Sequence, residues 1–149
     1  MEDKDFMLAA LELAREAKAE DEVPVGAVAV CRGEIVGRGR NRREKDKNAL
    51  AHAEIEAINE ACKNLGGWRL WECDLFVTLE PCPMCAGAII NARIRRLVFG
   101  AYDKKAGSCG SVVNLFDLPY NHRPQVTGGF MQEACAEELT EFFAELRKK

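Results

Sequence analysis

Three residues of the chain have the types and the spacing of a metal site. Cys82 and Cys85 are three positions apart at the start of a predicted helix, so their sulfur atoms face the same side of its first turn. His52 opens another predicted helix. Two thiolates and one imidazole make three ligands, the number that a catalytic zinc ion takes while a fourth position stays open for water. Helix starts also favour thiolate over thiol.

Glu54 follows His52 by two residues and is the candidate proton-transfer group. Residues at that spacing on a helix point in different directions, so Glu54 is better placed beside the metal than on it. Two thiolates cancel the charge of Zn²⁺ and His52 adds none, so this centre acidifies water less than a zinc held by three histidines. A nearby base therefore matters more here, and we expect Glu54 to carry protons.

Other sites also use cysteines at this spacing. A Cys-x-x-Cys pair alone is found in redox pairs and in halves of structural zinc knuckles. A structural zinc would take its fourth ligand from His122, Cys109 or Cys135. The combined pattern H-x-E … P-C-x-x-C is more specific, because it is the signature of zinc-dependent nucleobase deaminases. The sequence therefore favours hydrolytic deamination by zinc-activated hydroxide, with Glu54 as the proton shuttle.

The elements that position these residues alternate between helix and strand. Apolar residues at helical spacing predict helices over residues 5–18, 51–65, 83–91 and about 131–146, with a short helix near 112–118. Apolar and β-branched runs predict strands over residues 23–31, 34–39, 74–79, 96–99 and 125–127. Alternation of this kind predicts a single α/β domain over residues 1–149, with three α/β/α layers and a mixed five-stranded sheet flanked by helices.

Most of the chain resembles the bacterial tRNA-specific adenosine deaminases, which form inosine at the wobble position of the anticodon. The resemblance rests on Trp68 to Gly107, on EVPVGAVA from Glu22, on Asn41 before Ala51-His52-Ala53-Glu54, and on the tail from Asn121-His122 to Phe142-Phe143. The zinc motif alone is shared with cytidine, guanine and riboflavin-pathway deaminases, but PCPMCAG and the Phe-Phe tail point to the tRNA branch. The resemblance implies a cytidine-deaminase-like fold, one Zn²⁺ per subunit, a homodimer and an anticodon stem-loop as partner.

The resemblance also suggests which residues contact the substrate. Asn41 would bond the nucleoside, and the Ala53 N–H would help to position it. The remaining candidates are two pocket walls and five residues toward the RNA: Val25, Pro81, Asp103, Lys104, Asn121, His122 and Phe143. Purely structural interpretations stay open for several of them: a turn residue for Asn41, ordinary packing for Val25 and Pro81, a solvated loop for His122, and a core position for Phe143.

Composition limits the partners and the location. No apolar run is long enough to span a membrane, and the acidic N-terminus is unlike a signal peptide, so a cytoplasmic protein is expected. In such a reducing compartment, the cysteines outside the zinc motif should be thiols. Cys109 falls in a loop. The other four fall in or beside apolar elements and are expected to be buried: Cys31, Cys62, Cys73 and Cys135.

The net charge of −3 is unevenly distributed along the chain. Residues 31–47 hold seven basic and three acidic groups, and residues 91–105 hold five and one. These two segments flank the zinc motifs in sequence, so they are expected to form a phosphate-binding surface around the pocket, unless both are simply solvated loops.

Two other functions stay open. One is a zinc deaminase of a free base or nucleoside, of the guanine or cytosine type, and the other is a zinc-stabilised binding module.

Overall fold

The computed structural model describes all 149 residues, in four α-helices and five β-strands. The helices are α1 (Asp3–Ala19), α2 (Ala53–Leu65), α3 (Pro83–Ala92) and α4 (Gln132–Arg147). The strands are β1 (Gly26–Cys31), β2 (Glu34–Arg40), β3 (Cys73–Leu79), β4 (Arg96–Ala101) and β5 (Gln125–Thr127). None of the helices combines the length and the apolar character that crossing a bilayer requires.

The strands form one mixed sheet in the order β2-β1-β3-β4-β5. β1 pairs antiparallel with β2 and β3, whereas β4 pairs parallel with β3 and β5. Helices α1 and α4 cover one face, where Phe6 and Leu11 meet Phe76, and α2 and α3 cover the other, where Leu75 and Val77 are buried. Because both faces are covered, the central strands are continuous apolar runs. The predicted three-layer arrangement with a mixed five-stranded sheet is confirmed.

Two glycines of β2 let helix α2 lie very close to the sheet. A Cβ atom on Gly39 would sit 2.1 Å from the carbonyl oxygen of Ala53, and one on Gly37 would sit 2.1 Å from that of Ala57. No side chain fits into that gap, so the small residues fix the separation of helix and strand. The first turn of α2, which follows His52, is thereby anchored against the sheet.

Strands β2, β3 and β4 have their C-terminal residues at the same end of the sheet. Arg40, the last residue of β2, pairs with Gly26, and the last residues of β3 and β4, Leu79 and Ala101, pair with each other. Asn41, the Pro81–Cys85 motif and Asp103 all follow directly from these ends. In open α/β sheets, ligands bind outside the carboxyl ends of the parallel strands. We refer to this end as the catalytic end of the sheet.

The structure corrects three expectations about individual elements. The first strand begins at Gly26 rather than Val23, since Pro24 has no N–H for a sheet ladder. The expected helix near 112–118 is a 3₁₀ turn of three residues, Leu115–Asp117, capped by the Asn114 side chain. Helix α4 does not bury its whole apolar stripe: Phe143 is 41% exposed and Leu146 51%, because its last turns border a hollow rather than the sheet.

Candidate metal centre and active site

His52, Cys82 and Cys85 converge at the catalytic end of the sheet. His52 is the N-cap of α2, Cys82 is the N-cap of α3, and Cys85 lies in the first turn of α3. The Nδ1 atom of His52 lies 3.6 Å from the Sγ atoms of both cysteines, and the three donor atoms lie within 4.8 Å of one another. Such a group could hold a metal ion.

The other possible ligands named from the sequence do not join this group. His122 has its Nε2 atom 2.7 Å from the carbonyl oxygen of Ile94, beyond the opposite end of the sheet. Cys135 packs in the core between the sheet and helices α1 and α4, which is the other face from α2 and α3. Cys109 is buried near the site but lies outside the donor group. The protein therefore brings three ligands together and not four.

The pKa values of the two cysteine thiols are shifted in opposite directions. A hydrogen bond from the Cys85 thiol and one from His52 lower the pKa of Cys82 to about 4. The Cys82 thiolate in turn raises the pKa of Cys85, as does burial, and it also raises the pKa of His52. Cys85 therefore keeps the proton that it donates to the Cys82 thiolate. A metal ion that binds here displaces that proton, because thiolate and neutral imidazole are the ligating forms.

Glu54 lies in the same cavity as the metal donors and is almost completely buried. Its side chain is on the first turn of α2, two residues beyond His52. Burial raises the pKa of its carboxyl group to about 7, although the nearby imidazole of His52 opposes the shift. A carboxyl group with a pKa near neutrality can both accept and release a proton, which is the property that general acid–base catalysis requires.

The cavity has a volume of about 190 Å³. Seven of the residues predicted to form the centre and its surroundings line it, together with several that the sequence did not single out. The full lining is Val23, Val25, Asn41, Arg43, His52, Ala53, Glu54, Leu79, Glu80, Cys82, Asp103 and Ala106. Apolar walls with a few convergent polar groups are typical of small-molecule sites.

The predicted substrate residues near the cavity differ in whether they line it and in whether their polar groups already have hydrogen-bond partners. The Asn41 amide donates to the carbonyl of Val23 and accepts from the N–H of Arg43, both at 3.1 Å, so it shapes a turn as well as lining the cavity. Ala53 is the first residue of α2, where N–H groups have no partner within the helix. Pro81 is buried outside the lining, and its carbonyl accepts the Ser108 N–H at 2.9 Å.

Four predicted RNA contacts lie outside the cavity. Lys104 is exposed next to Asp103. Phe143 borders a second hollow of about 250 Å³, which shares Val23, Asn41 and Arg43 with the cavity. Asn121 and His122 precede β5 and lie beyond the end of the sheet opposite the catalytic end, because β4 and β5 run parallel. Within this chain, these two residues are separated from the cavity by the length of the sheet.

Two buried carboxylates at the catalytic end of the sheet were not predicted from the sequence. Glu22 is 1% exposed and accepts the N–H groups of Glu44 and Lys45, at 3.0 and 2.7 Å. Glu80 is 2% exposed and accepts from the loop after Asp103. The available signal was an acidic residue directly beside an apolar run, in EVPVG and in TLEPC.

The structure also corrects the expectation of one basic face around the pocket. In the first basic segment, Arg40 and Lys45 pair with Glu20, and Arg42 pairs with Glu56. The second basic segment is split between the two ends of the sheet, since Arg93, Arg95 and Arg96 precede or begin β4, whereas Lys104 and Lys105 follow it. Arg95 and Arg96 pair with Asp74. Arg43, Lys104 and Lys105 form no ion pair and lie at the catalytic end.

Comparison with known proteins agrees with this geometry. The model of the MafB19-like deaminase family matches residues 1–147. A tRNA-specific adenosine deaminase of Bacillus subtilis (strain 168) is 48% identical over 149 residues, which cover 99% of this chain and 92% of the relative. The chain therefore belongs to the MafB19-like deaminases and, within that family, to the tRNA-specific adenosine deaminases.

Solved structures support the same placement. A chain from work on A-to-I editing by tRNA:A34 deaminases at the wobble position superposes with a TM-score of 0.89 at 48% identity, covering 91% of this chain and 99% of that one. A guanine deaminase from Nitrosomonas europaea superposes with a TM-score of 0.79 at 28% identity, covering 96% and 85%. The predicted family resemblance and the cytidine-deaminase-like fold are confirmed.

Proposed function

We propose that the chain hydrolyses adenosine to inosine at the wobble position of a tRNA anticodon. The observation that carries the proposal is the buried carboxylate of Glu54 beside three convergent metal donors, in a chain 48% identical to a tRNA-specific adenosine deaminase. This combination supplies the two elements that nucleobase deamination needs, a site for an activated water and a group that moves protons.

We propose zinc as the metal, one ion per subunit. Zinc favours imidazole and thiolate ligands at about 2.0 and 2.3 Å in a tetrahedron, which separates a nitrogen from a sulfur ligand by about 3.6 Å. The observed distances from His52 to Cys82 and to Cys85 are both 3.6 Å. Three protein ligands leave the fourth position open, as in catalytic zinc sites. The types of the three donors and the two nitrogen–sulfur distances therefore support zinc.

Each residue then has a defined task. Bound zinc supplies a water activated for attack on C6 of the adenine ring. Glu54 accepts one proton from the attacking water and delivers it to N1 of the ring. It then accepts the remaining proton of the hydroxyl group added at C6 and delivers it to the amino group, which departs as ammonia when the C6–N bond breaks. Asn41 and the Ala53 N–H orient the nucleoside, and Val25 provides an apolar wall. Asp103, Lys104, Phe143 and, less directly, Pro81 shape the entrance used by the RNA.

The substrate base must leave its stack to enter a cavity of this size. A hairpin loop lowers that cost, because its bases are already partly splayed. We also propose a homodimer, as the resemblance implies. The groove between α2 and α3 supports this, because the apolar surfaces of Ile55, Ile58, Trp68 and Ala88 meet there with Trp68 49% exposed. Asn121 and His122 would then act on RNA held by the other subunit. A cytoplasmic location follows, because tRNA is found there.

A substrate panel tests the proposed function. The probes are an anticodon stem-loop with adenosine at the wobble position, the same loop with that adenosine moved one position, free adenosine, and free guanine. We expect inosine in the first RNA alone. Guanine is included because the similarity to a guanine deaminase favours it as the second candidate. Rapid turnover of guanine or of free adenosine, with no reaction of the stem-loop, contradicts the proposal.

A further inference from the structure

Glu80 is a buried carboxylate whose partners all come from one loop. It follows β3 and stands two residues before Cys82. One carboxylate oxygen accepts the N–H of Asp103 at 3.1 Å and the hydroxyl of Ser111. The other accepts the N–H groups of Cys109 and Ser111, at 3.1 and 3.0 Å. We call residues 103–111 the lysine loop, because Lys104 and Lys105 are exposed at its tip.

No cation compensates for the burial of this charge. The four hydrogen bonds come from three backbone N–H groups and one hydroxyl group, and no lysine or arginine pairs with Glu80. Burying a carboxylate is costly unless its oxygens are hydrogen-bonded, and bonds to an ionised acceptor are the stronger kind. The fixed conformation of the loop and the buried charge therefore depend on each other.

The loop is fitted closely around the carboxylate. A Cβ atom on Gly107 would lie 2.4 Å from the Cδ atom of Glu80. The Asp103 side chain caps the N–H groups of Lys105 and Ala106, at 3.0 and 3.2 Å, so the turn that carries the lysines starts at a residue that Glu80 holds directly. Hydrogen bonds therefore connect Glu80 to the turn that carries the lysines.

The same loop forms one wall of the cavity. Asp103 and Ala106 line it on this side, and Glu80 itself lies in the wall with all its hydrogen-bonding atoms engaged. We propose that Glu80 is a positioning residue: it holds the lysine loop in the conformation that receives the RNA, and it does not take part in proton transfer. This inference rests on the proposed function for its substrate, but the conformational part can be measured without any substrate.

The test compares Glu80→Gln with wild type by amide hydrogen exchange. The amide group of glutamine keeps one acceptor oxygen but turns an NH₂ group toward N–H donors. We expect the amides of Asp103, Cys109 and Ser111 to exchange about tenfold faster or more, which corresponds to the loss of one charge-assisted hydrogen bond. The amides of Glu44 and Lys45, which Glu22 holds, should exchange as in wild type.

Steady-state kinetics on the anticodon stem-loop give the second readout. We expect Glu80→Gln to raise KM about tenfold with kcat within about threefold of wild type, since only positioning is lost. Zinc content should be unchanged. Glu138→Gln is the matched control, because Glu138 is also a buried carboxylate but bridges Arg15 and Lys18 on the other face of the sheet. It should lower stability without changing KM or the exchange of the lysine loop.

The outcomes separate this inference from the proposed function. Wild-type exchange rates in Glu80→Gln overturn the positioning role, and so does a loss confined to kcat. Ser111→Ala removes only the hydroxyl bond and should shift exchange and KM in the same direction by less, so the inference stays testable if Glu80→Gln fails to fold. If wild type does not deaminate the stem-loop, the proposed function fails, while the exchange data still decide whether Glu80 holds the loop.

Discussion

The Nδ1 atom of His52 lies 3.6 Å from the Sγ atom of Cys82, although the two residues are 30 positions apart and cap different helices. Glycines in β2 let α2 approach the sheet, and the end of β3 delivers Cys82 to the same place. The distance is therefore set by the packing of α2 and α3 on one face of the sheet.

Removal of one ligand should remove the metal. We expect elemental analysis to find about one zinc per wild-type subunit and a small fraction of that in His52→Ala or Cys82→Ser, since two protein ligands no longer define the site. Cys62→Ser is the control, because Cys62 is half-buried on α2 and outside the donor group. Full zinc occupancy in His52→Ala would show that the metal binds elsewhere.

Glu54→Gln should separate metal binding from turnover. The amide group has nearly the same shape but cannot carry a proton between water and base. We expect inosine formation to fall by at least about 10²–10⁴-fold, the usual contribution of a general acid–base group, while zinc content is maintained. The assay is inosine formation in the stem-loop under single-turnover conditions. Near-normal activity of this variant would contradict the role assigned to Glu54.

The sequence predicted the elements well where periodicity and end signals agreed. Helix α2 follows from Ile55, Ile58 and Cys62 at helical spacing, and it ends at Gly66, whose φ of 72° is the left-handed conformation that glycine adopts readily after a helix. The three metal donors were also predicted, because motif spacing on two helix starts is a local property. Helical spacing left two interpretations of Phe143 open, an RNA contact and a core position, because its exposure depends on which neighbour lies beneath the last turns of α4.

The other differences have long-range causes. Glu80 accepts hydrogen bonds from backbone N–H groups 23, 29 and 31 positions later. Every residue except proline has such a group, so the residue types do not show which ones bind Glu80. The RNA contact predicted for Asn121 and His122 stays a prediction, and the end of the sheet that they occupy follows from the parallel pairing of β5 with β4, which residue order does not show. Ion pairs such as Arg40 with Glu20 likewise decide how much of a basic segment is free, and sequence order does not reveal them.

The two lysines of the lysine loop should account for part of the salt dependence of RNA binding. Each phosphate contact adds about 1 to the slope of log affinity against log salt concentration. We expect Lys104→Ala/Lys105→Ala to weaken binding of the stem-loop and to reduce that slope by about 2. Arg32→Ala is the control, since Arg32 is exposed and pairs with Glu72 at the other end of the sheet. An unchanged slope in the double variant would place the RNA elsewhere.

Phe143 should contribute to RNA affinity rather than to folding. Its ring is 41% exposed beside Asn41 and Arg43, and the neighbouring Phe142 ring packs edge-on against it at 5.3 Å. Stacking of one base on an aromatic ring contributes about 1–3 kcal/mol, so Phe143→Ala should raise KM about tenfold with little change in the melting temperature. Leu65→Ala removes a comparably exposed side chain at the end of α2 and should leave KM unchanged. A large loss of stability with unchanged KM would support a core role instead.

Glu138 should make the free energy of unfolding depend on pH in the acid range. Burial alone would raise the pKa of its carboxyl group, but the hydrogen bonds from Lys18 and Arg15 outweigh burial and hold the pKa below the ordinary value of 4.5. A carboxyl group with a lower pKa in the folded state stabilises the fold at pH above 4.5, and that contribution is lost as the pH falls through the folded-state pKa.

Glu138→Gln cannot titrate, so its unfolding free energy should fall less steeply than that of wild type below about pH 4.5. At neutral pH the variant should be less stable by roughly 1.5–3 kcal/mol, the range for hydrogen bonds to charged groups, and the difference should shrink in acid. Urea unfolding at several pH values measures both quantities, and comparison of the two proteins cancels the acid release of metal common to both. Glu145→Gln, which removes an exposed partner of Lys148 on the same helix, should follow the wild-type curve. Parallel curves for wild type and Glu138→Gln would mean that Glu138 titrates alike in the folded and unfolded chain.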